Sequence, residues 1–197
     1  MFSLIRQINL LWEPVYPYLS RQIREVSGSS TGRVLDVGPF AGVVFDLKKK
    51  GVGTSFTIAT FPRQMSDFFQ QELKVRNEAG RINLIKTDPA LACVRDNTVD
   101  LLVFRGALFF PSLFHTDLAV MYRVLKAGGI AFVGGGFGKY TPQSVIESIG
   151  AESRDLNLKI GKTGVTADEI WRSARGHEVE AHMEIITEGG LWVVIRK

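Results

Sequence analysis

One turn in this sequence has residue types and spacing that suit ligand binding. Asp36, Gly38 and Gly42 lie in Asp-Val-Gly-Pro-Phe-Ala-Gly, directly after a run of β-branched residues. A glycine-rich turn between a strand and a helix lets the backbone approach a ligand closely, because glycine has no side chain and accepts positive φ. The same pattern also joins a strand to a helix where nothing binds. The turn alone therefore leaves a ligand site and a purely structural turn open.

Three residues farther along are candidates for catalysis. Arg105 interrupts an apolar run, where its guanidinium could anchor an anion or pair with an acid at the edge of the sheet. His115 stands near a predicted helix start, where it could act as a general base or be exposed beside a capping residue. Tyr140 follows a glycine-rich segment and could contact a substrate.

Two further segments have more than one interpretation. Residues 134–138 include four glycines, which fits close backbone approach, a mobile lid or a flexible connector. Phe109, Phe110 and Phe114 could line an apolar substrate pocket or pack a helix against the sheet. Trp12 and Tyr16, in the N-terminal segment, have the same ambiguity.

Composition and charge narrow the function classes. The chain has 197 residues, 45% of them apolar and 22% charged, which predicts one domain with an ordinary core. The net charge of +4 comes from scattered residues, so no nucleic-acid surface is expected. Cys93 is the only cysteine and the three histidines lie far apart, which predicts no disulfide and no metal site. No signal-peptide layout or membrane-spanning run is present, so we expect a cytoplasmic protein.

Strand and helix signals alternate along most of the chain and predict a doubly wound α/β sheet. Pro14 and Pro17 indicate two short N-terminal helices, or one late helix that begins near Trp12. The segment 188–190, Glu-Gly-Gly, predicts a hairpin that makes the last strand antiparallel. Strands are predicted at 33–38, 55–60, 82–86, 99–104, 130–133, 178–187 and 191–196, and helices at 42–50, 63–77, 113–125, 143–149 and 167–174.

Five segments together resemble class I S-adenosylmethionine-dependent methyltransferases. The segment 34–42 resembles their first motif, V-L-D-x-G-x-G-x-G, and 123–129 closely resembles the R-V-L-K-P-G-G that precedes the fifth strand. Residues 60–65, 86–88 and 96–103 stand where that family has D-x-S-x-x-M, G-D-A and D-x-x-F-D-L-V. The resemblance covers about 33–136, and the closing hairpin matches the reversed last strand of the family.

The resemblance implies a cofactor role for residues at the carboxyl ends of the strands. Asp36 would orient the methionine end of S-adenosylmethionine through its loop, and Asp88 would accept a hydrogen bond from the adenine amino group. The other implied positions face the methionine (Gly38, Phe40, Gly42), the ribose (Thr60) and the sulfonium (Phe104, Arg105).

Three of these positions depart from the family pattern. Phe40 replaces the middle glycine and adds bulk. Thr60 replaces the acid for the ribose, and a hydroxyl cannot accept two charge-assisted hydrogen bonds as a carboxylate does. Pro89 follows Asp88 and has no N–H to offer the adenine ring. Each missing hydrogen bond costs about 0.5–3 kcal/mol of affinity.

The sequence therefore predicts one methyltransferase-like domain over 1–197, divided into 1–32, 33–136 and 137–197. We expect seven strands, of which the last is antiparallel, and in-line methyl transfer from S-adenosylmethionine to a small-molecule acceptor. The alternative is a degenerate, non-catalytic module that binds another ligand or a protein. Whether the Phe40 side chain fills the cofactor crevice separates the two hypotheses. Nothing in the sequence specifies the accepting atom or the oligomeric state.

Overall fold

A computed structural model describes residues 1–28 and 32–197. In these residues seven strands form one sheet in the order β3-β2-β1-β4-β5-β7-β6. Only β7 runs against its neighbours, which confirms the predicted fold class. The strands are β1 Arg33–Val37, β2 Ser55–Thr60, β3 Asn83–Lys86, β4 Val99–Arg105, β5 Leu125–Gly135, β6 Met183–Ile186 and β7 Leu191–Arg196.

Helices flank this sheet, and those of the N-terminal segment begin at residues that favour a first helical turn. The N-terminal segment forms two helices and not one late helix, because Pro14 and Pro17 each lie in a first helical turn, where a missing N–H costs nothing. Gly28, Ser29, Ser30 and Gly32 predict a loop before β1, and residues 29–31 lie outside the described residues. The helices are α1 Phe2–Leu11, α2 Tyr16–Ser27, α3 Val44–Lys49, α4 Met65–Val75, α5 Leu118–Val124, α6 Gln143–Lys159 and α7 Ala167–Ala174.

Several element boundaries differ from the sequence prediction. The predicted helix 113–125 begins only at Leu118, because Asp117 caps it by accepting a hydrogen bond from the Ala119 N–H at 2.8 Å. Its predicted end is strand instead, since β5 already begins at Leu125 and pairs with β4 through a register shift. The predicted strand 178–187 contains a 3₁₀ turn up to His182, so β6 is short. Helix α6 extends ten residues beyond its predicted end, to Lys159.

The central strands bring their carboxyl ends to one edge of the sheet. Asp36 of β1 is in register with Ile58 of β2 and with Val103 of β4. Because these strands are parallel, the turns that follow them meet at the same place. Nearly all of β4 is buried, as the apolar run predicts for a strand covered on both faces. In the described part of the chain, no helix has the length and apolarity needed to cross a bilayer.

Candidate functional site

Asp36 fixes the glycine turn after β1. Its Oδ2 accepts hydrogen bonds from the Gly42 N–H at 2.7 Å and the Val44 N–H at 3.0 Å. The side chain is fully buried, and its Oδ1 has no hydrogen-bond partner. Burial raises the pKa of Asp36 to about 6, although the two N–H groups and the charge of Arg105 oppose that rise. A buried carboxylate therefore sets the path of the turn into α3.

Arg105 is also buried and joins the turn to the N-terminal helices. Its Nε donates to the carbonyl oxygen of Phe40 at 3.0 Å, and its Nη2 donates to the Tyr16 hydroxyl at 2.9 Å and to Asn9 Oδ1 at 3.2 Å. The guanidinium also lies 5.0 Å from the ring centroid of Trp12. In the described residues Arg105 forms no ion pair with an acid, and its donors reach the turn and the N-terminal helices instead. An anion-anchoring role for Arg105 stays a prediction.

The N-terminal segment covers the turn through this network. Asn9 donates a hydrogen bond to the carbonyl oxygen of Pro39 at 2.8 Å. The Tyr16 ring covers Gly42, since a Cβ built on that glycine would lie 3.2 Å from the ring. Burial raises the pKa of Tyr16 to about 12, so its hydroxyl stays protonated. Segment 38–42 is consequently buried along its whole length.

The Phe40 side chain fills the space between the glycine turn and the end of β4. The side chain is only 2% exposed, and its ring centroid lies 4.7 Å from that of Phe110. A Cβ built on Gly106 would lie 2.6 Å from the Phe40 ring. In the described residues the only non-glycine positive φ angles are at Asn77, Leu91 and Asn97, so Phe40 stands in the glycine's place without backbone strain.

A second group of rings fills the space beside it. The Phe104 ring lies against Gly38, whose hypothetical Cβ would be 2.5 Å away. Phe104 packs on Phe114 at 5.5 Å and on Phe61 at 5.8 Å between centroids. We call the five buried rings the crevice cluster: Phe40, Phe61, Phe104, Phe110 and Phe114.

The two implied contacts to ribose and adenine lie in different surroundings. Thr60 is fully buried, and its hydroxyl donates to the Gly38 carbonyl oxygen at 3.5 Å. Asp88 is exposed at the end of β3, where its Oδ1 accepts a hydrogen bond from the Ala92 N–H at 3.2 Å. It borders an open cavity of about 440 Å³ that Arg63 also lines. The structure therefore groups Asp36, Gly38, Phe40, Gly42, Thr60, Phe104 and Arg105 at one place, with Asp88 at the outer side of the same edge.

The crevice cluster decides whether S-adenosylmethionine fits these residues. The faces of Gly38, Gly42 and Gly106 are the places where a backbone with no side chain could meet a ligand. Rings of Phe104, Tyr16 and Phe40, respectively, already cover them. In the conformation described, a ligand that reached any of these three faces would have to displace a ring.

The other candidates lie apart from this group. The Tyr140 hydroxyl donates to Glu25 of α2, and its ring lies 3.9 Å from the Arg21 guanidinium, so Tyr140 belongs to a surface cluster. His115 is exposed and lines a cavity beside α7. In the part of the chain that the structure describes, no group of three or more metal-binding side chains occurs.

The glycines of 134–138 serve a backbone contact. The Gly138 N–H donates to the Gly189 carbonyl oxygen at 2.7 Å. A Cβ on Gly136 would lie 2.3 Å from that same oxygen, and one on Gly134 would lie 2.3 Å from the Leu191 carbonyl oxygen. Of the interpretations left open by the sequence, close backbone approach is the one that the structure shows.

Sequence reasoning missed two residues of the site. Asn9 was not a candidate, since an asparagine within a helix has no signal that marks a contact to a distant turn. Phe61 has no role of its own in the sequence prediction, and its apolar type after a strand was the available signal.

Comparisons with known proteins support the fold. The chain matches no family model and no curated protein by sequence. A solved structure from Methanococcus maripaludis, assigned as an S-adenosylmethionine-dependent methyltransferase, is 26% identical with a TM-score of 0.79. That match covers 100% of this chain and 91% of the other.

Two more distant neighbours show the fold alone. A methyltransferase from Aquifex aeolicus is 17% identical, with a TM-score of 0.58 and coverage of 97% and 96%. Geranyl diphosphate C-methyltransferase from Streptomyces coelicolor, solved with S-adenosylhomocysteine, is 11% identical, with a TM-score of 0.59 and coverage of 89% and 73%. By its strand order and its full-length likeness to the Methanococcus protein, the chain has the class I methyltransferase fold, and the resemblance to S-adenosylmethionine-dependent methyltransferases that its motifs indicate is confirmed.

Proposed function

We propose that this chain is an S-adenosylmethionine-dependent methyltransferase that acts on a small-molecule acceptor by in-line transfer. S-adenosylmethionine is the cofactor of this fold, and S-adenosylhomocysteine is bound in neighbours of the chain. The observation that carries the proposal is the full-length likeness, at 26% identity, to a protein assigned to this activity. The fixed turn adds support, since Asp36 still holds the backbone of Gly42 in place.

The crevice cluster makes opening a necessary part of this proposal. For the cofactor to bind, the Phe40 ring must leave its contacts with Gly106 and Phe110. Exposing a buried phenylalanine side chain costs about 1.5–3 kcal/mol. Binding that requires this opening is weakened by the same free energy, which is about tenfold to a hundredfold in affinity.

Isothermal titration with S-adenosylmethionine and S-adenosylhomocysteine tests the proposal. We expect the wild-type protein to bind both, and Phe40→Gly to bind about tenfold to a hundredfold more tightly because no ring has to move. Phe40→Leu is the matched control: it keeps apolar bulk in the crevice and is expected to bind about as the wild type does. Thermal unfolding of each variant verifies that the fold is intact.

A second candidate function follows from the filled crevice itself. The rings that cover Gly38 and Gly106 favour a non-catalytic module that keeps the fold without the cofactor. If neither the wild type nor Phe40→Gly binds either compound at millimolar concentration, the methyltransferase proposal is wrong and this second candidate replaces it.

A further inference from the structure

A separate cavity lies beside the crevice, between the loop after β4 and helix α7. Its volume is about 160 Å³. An apolar cavity of similar size, about 150 Å³, holds a benzene molecule in an engineered protein. We call it the side cavity; it is lined by Ala107, Leu108, Pro111, Phe114, His115, Thr116, Val165, Glu169, Ile170 and Ser173.

The apolar wall of the side cavity adjoins the crevice cluster. Ala107, Phe114 and Ile170 are each less than 10% exposed, so this part of the wall is fixed by packing. The Phe114 ring also stacks on Phe104, with 5.5 Å between centroids and 28° between planes. Since the Phe104 ring covers Gly38, two rings separate the side cavity from the glycine turn.

The polar side chains that line the side cavity have several free hydrogen-bond acceptors and few free donors. The Ser173 hydroxyl donates to the Ile170 carbonyl oxygen at 2.7 Å, and the Thr116 hydroxyl donates to the Ala107 carbonyl oxygen. Their hydroxyl protons are thus already used, while their oxygens can still accept.

The Glu169 carboxylate is the strongest of these acceptors. Its Oε2 accepts hydrogen bonds from the Thr166 N–H at 2.8 Å and the Thr166 hydroxyl at 2.9 Å, which completes a capping box at the start of α7. The N–H bond lowers the pKa of Glu169. In the described part of the chain no hydrogen bond involves Oε1, and none involves His115 on the same cavity. An ionised oxygen and an imidazole therefore stand beside an apolar, ring-sized space.

We infer that the side cavity binds a small aromatic alcohol. The ring packs on Phe114 and Ile170, and the hydroxyl donates its hydrogen bond to Oε1 of Glu169. We assign such a molecule to the acceptor class of the enzyme, and for in-line transfer the Phe104 and Phe114 rings that lie between it and the glycine turn must then move aside. That last assignment rests on the proposed function, whereas the binding itself does not.

Two probes of one shape test the inference in the full-length protein without cofactor. Phenol and toluene are titrated while the backbone amide signals are followed by NMR. Phenol is expected to shift the signals of 107–116 and 165–173 and to bind about tenfold more tightly than toluene, because a hydrogen bond to a charged group is among the stronger ones. Shifts spread over the surface, or none at these segments, would overturn the inference.

A pair of variants on the first turn of α7 tests the role of the carboxylate. Glu169→Gln removes the charge but keeps a residue that a capping box accepts, so α7 should remain folded. This variant is expected to bind phenol only about as well as toluene. Asp168→Asn loses the same charge one residue earlier, at a position that does not line the side cavity, and should bind phenol as the wild type does. Equal losses in both variants, or in neither, would contradict the proposed donor contact.

The two proposals fail separately. Phenol binding together with absent S-adenosylhomocysteine binding would retain the side cavity as a site and reject the methyltransferase function. The opposite result would reject the side cavity as a site for aromatic alcohols and retain the function.

Discussion

Two glycine-rich regions stand at the same edge of the sheet and use their glycines differently. In the first region, after β1 and β4, the faces of Gly38, Gly42 and Gly106 are covered by aromatic side chains of the protein. In the second region, at the end of β5, Gly134 and Gly136 face the backbone of Leu191 and Gly189. A side chain can rotate away from a glycine, but the backbone of β7 and of the turn before it cannot move without breaking its hydrogen bonds. The first region can therefore still admit a ligand after a ring moves, whereas the second is closed.

Alanine substitutions should show the largest difference in the free energy of unfolding between the two regions. Gly136→Ala is expected to lower the free energy of unfolding by about 3 kcal/mol or more, because its Cβ meets backbone at a φ of +144°. Gly106→Ala is expected to cost about 1–2 kcal/mol, since the Phe40 ring that its Cβ meets can shift. Urea denaturation measures both values.

A third glycine supplies the control for this comparison. Gly150 lies in α6 with nothing within 4 Å of a built Cβ, and Gly150→Ala should stabilise the helix by up to about 1 kcal/mol. The distinction between the two regions is wrong if Gly136→Ala costs no more than Gly106→Ala.

The buried carboxyl group of Asp36, in the first region, is expected to give the next largest effect on the free energy of unfolding. This effect depends on pH. The pKa of Asp36 rises from 3.8 in the free side chain to about 6 in the folded protein. Between these values the folded state binds more protons than the unfolded state, so this group lowers stability as pH rises. The pKa of Tyr16 is about 12, so its hydroxyl does not titrate in this window.

Asp36→Asn removes this dependence while an amide oxygen can still accept from Gly42 and Val44. Relative to the wild type, the variant should gain about 2 kcal/mol of unfolding free energy between about pH 4.5 and about pH 7. Chemical denaturation at the two pH values measures the difference. An unchanged difference between variant and wild type would show that Asp36 has an ordinary pKa and that the turn carries no buried charge of consequence.

The sheet could be predicted from the sequence because its signals are local. Runs such as 99–104 are apolar enough to require a buried strand, and Glu188-Gly-Gly190 sets the final hairpin. Residues 126–129, Lys-Ala-Gly-Gly, predict the end of a helix at Leu125. Pairing of Leu125 with Val99 overrides that local preference and makes it strand.

The sequence could not predict whether the site is open or filled by side chains, because this depends on contacts between distant segments. The sequence identified Phe40 as bulk in the place of a glycine, but the direction of its ring is set with Gly106 and Phe110. Likewise, Arg105 reaches the Phe40 carbonyl oxygen across 65 residues of sequence. Residue types at motif positions therefore predict where a site lies and not whether it is open.

The smallest expected effect concerns Thr60, which holds the place of the family's ribose acid. Its hydroxyl reaches the Gly38 carbonyl oxygen only at 3.5 Å, the outer limit of a hydrogen bond. Thr60→Val should therefore lower the free energy of unfolding by less than about 1 kcal/mol.

Because the Thr60 side chain is fully buried, it cannot meet a ribose while the crevice cluster stays in place. The same variant should then leave the affinity for S-adenosylhomocysteine unchanged in the wild-type background. In the Phe40→Gly background it should weaken that affinity, if opening exposes the hydroxyl to the ligand. Equal changes in affinity in both backgrounds would show that Thr60 only supports the turn. Thr60 would then have a purely structural role, like the glycines at the end of β5, and would not contact the ligand.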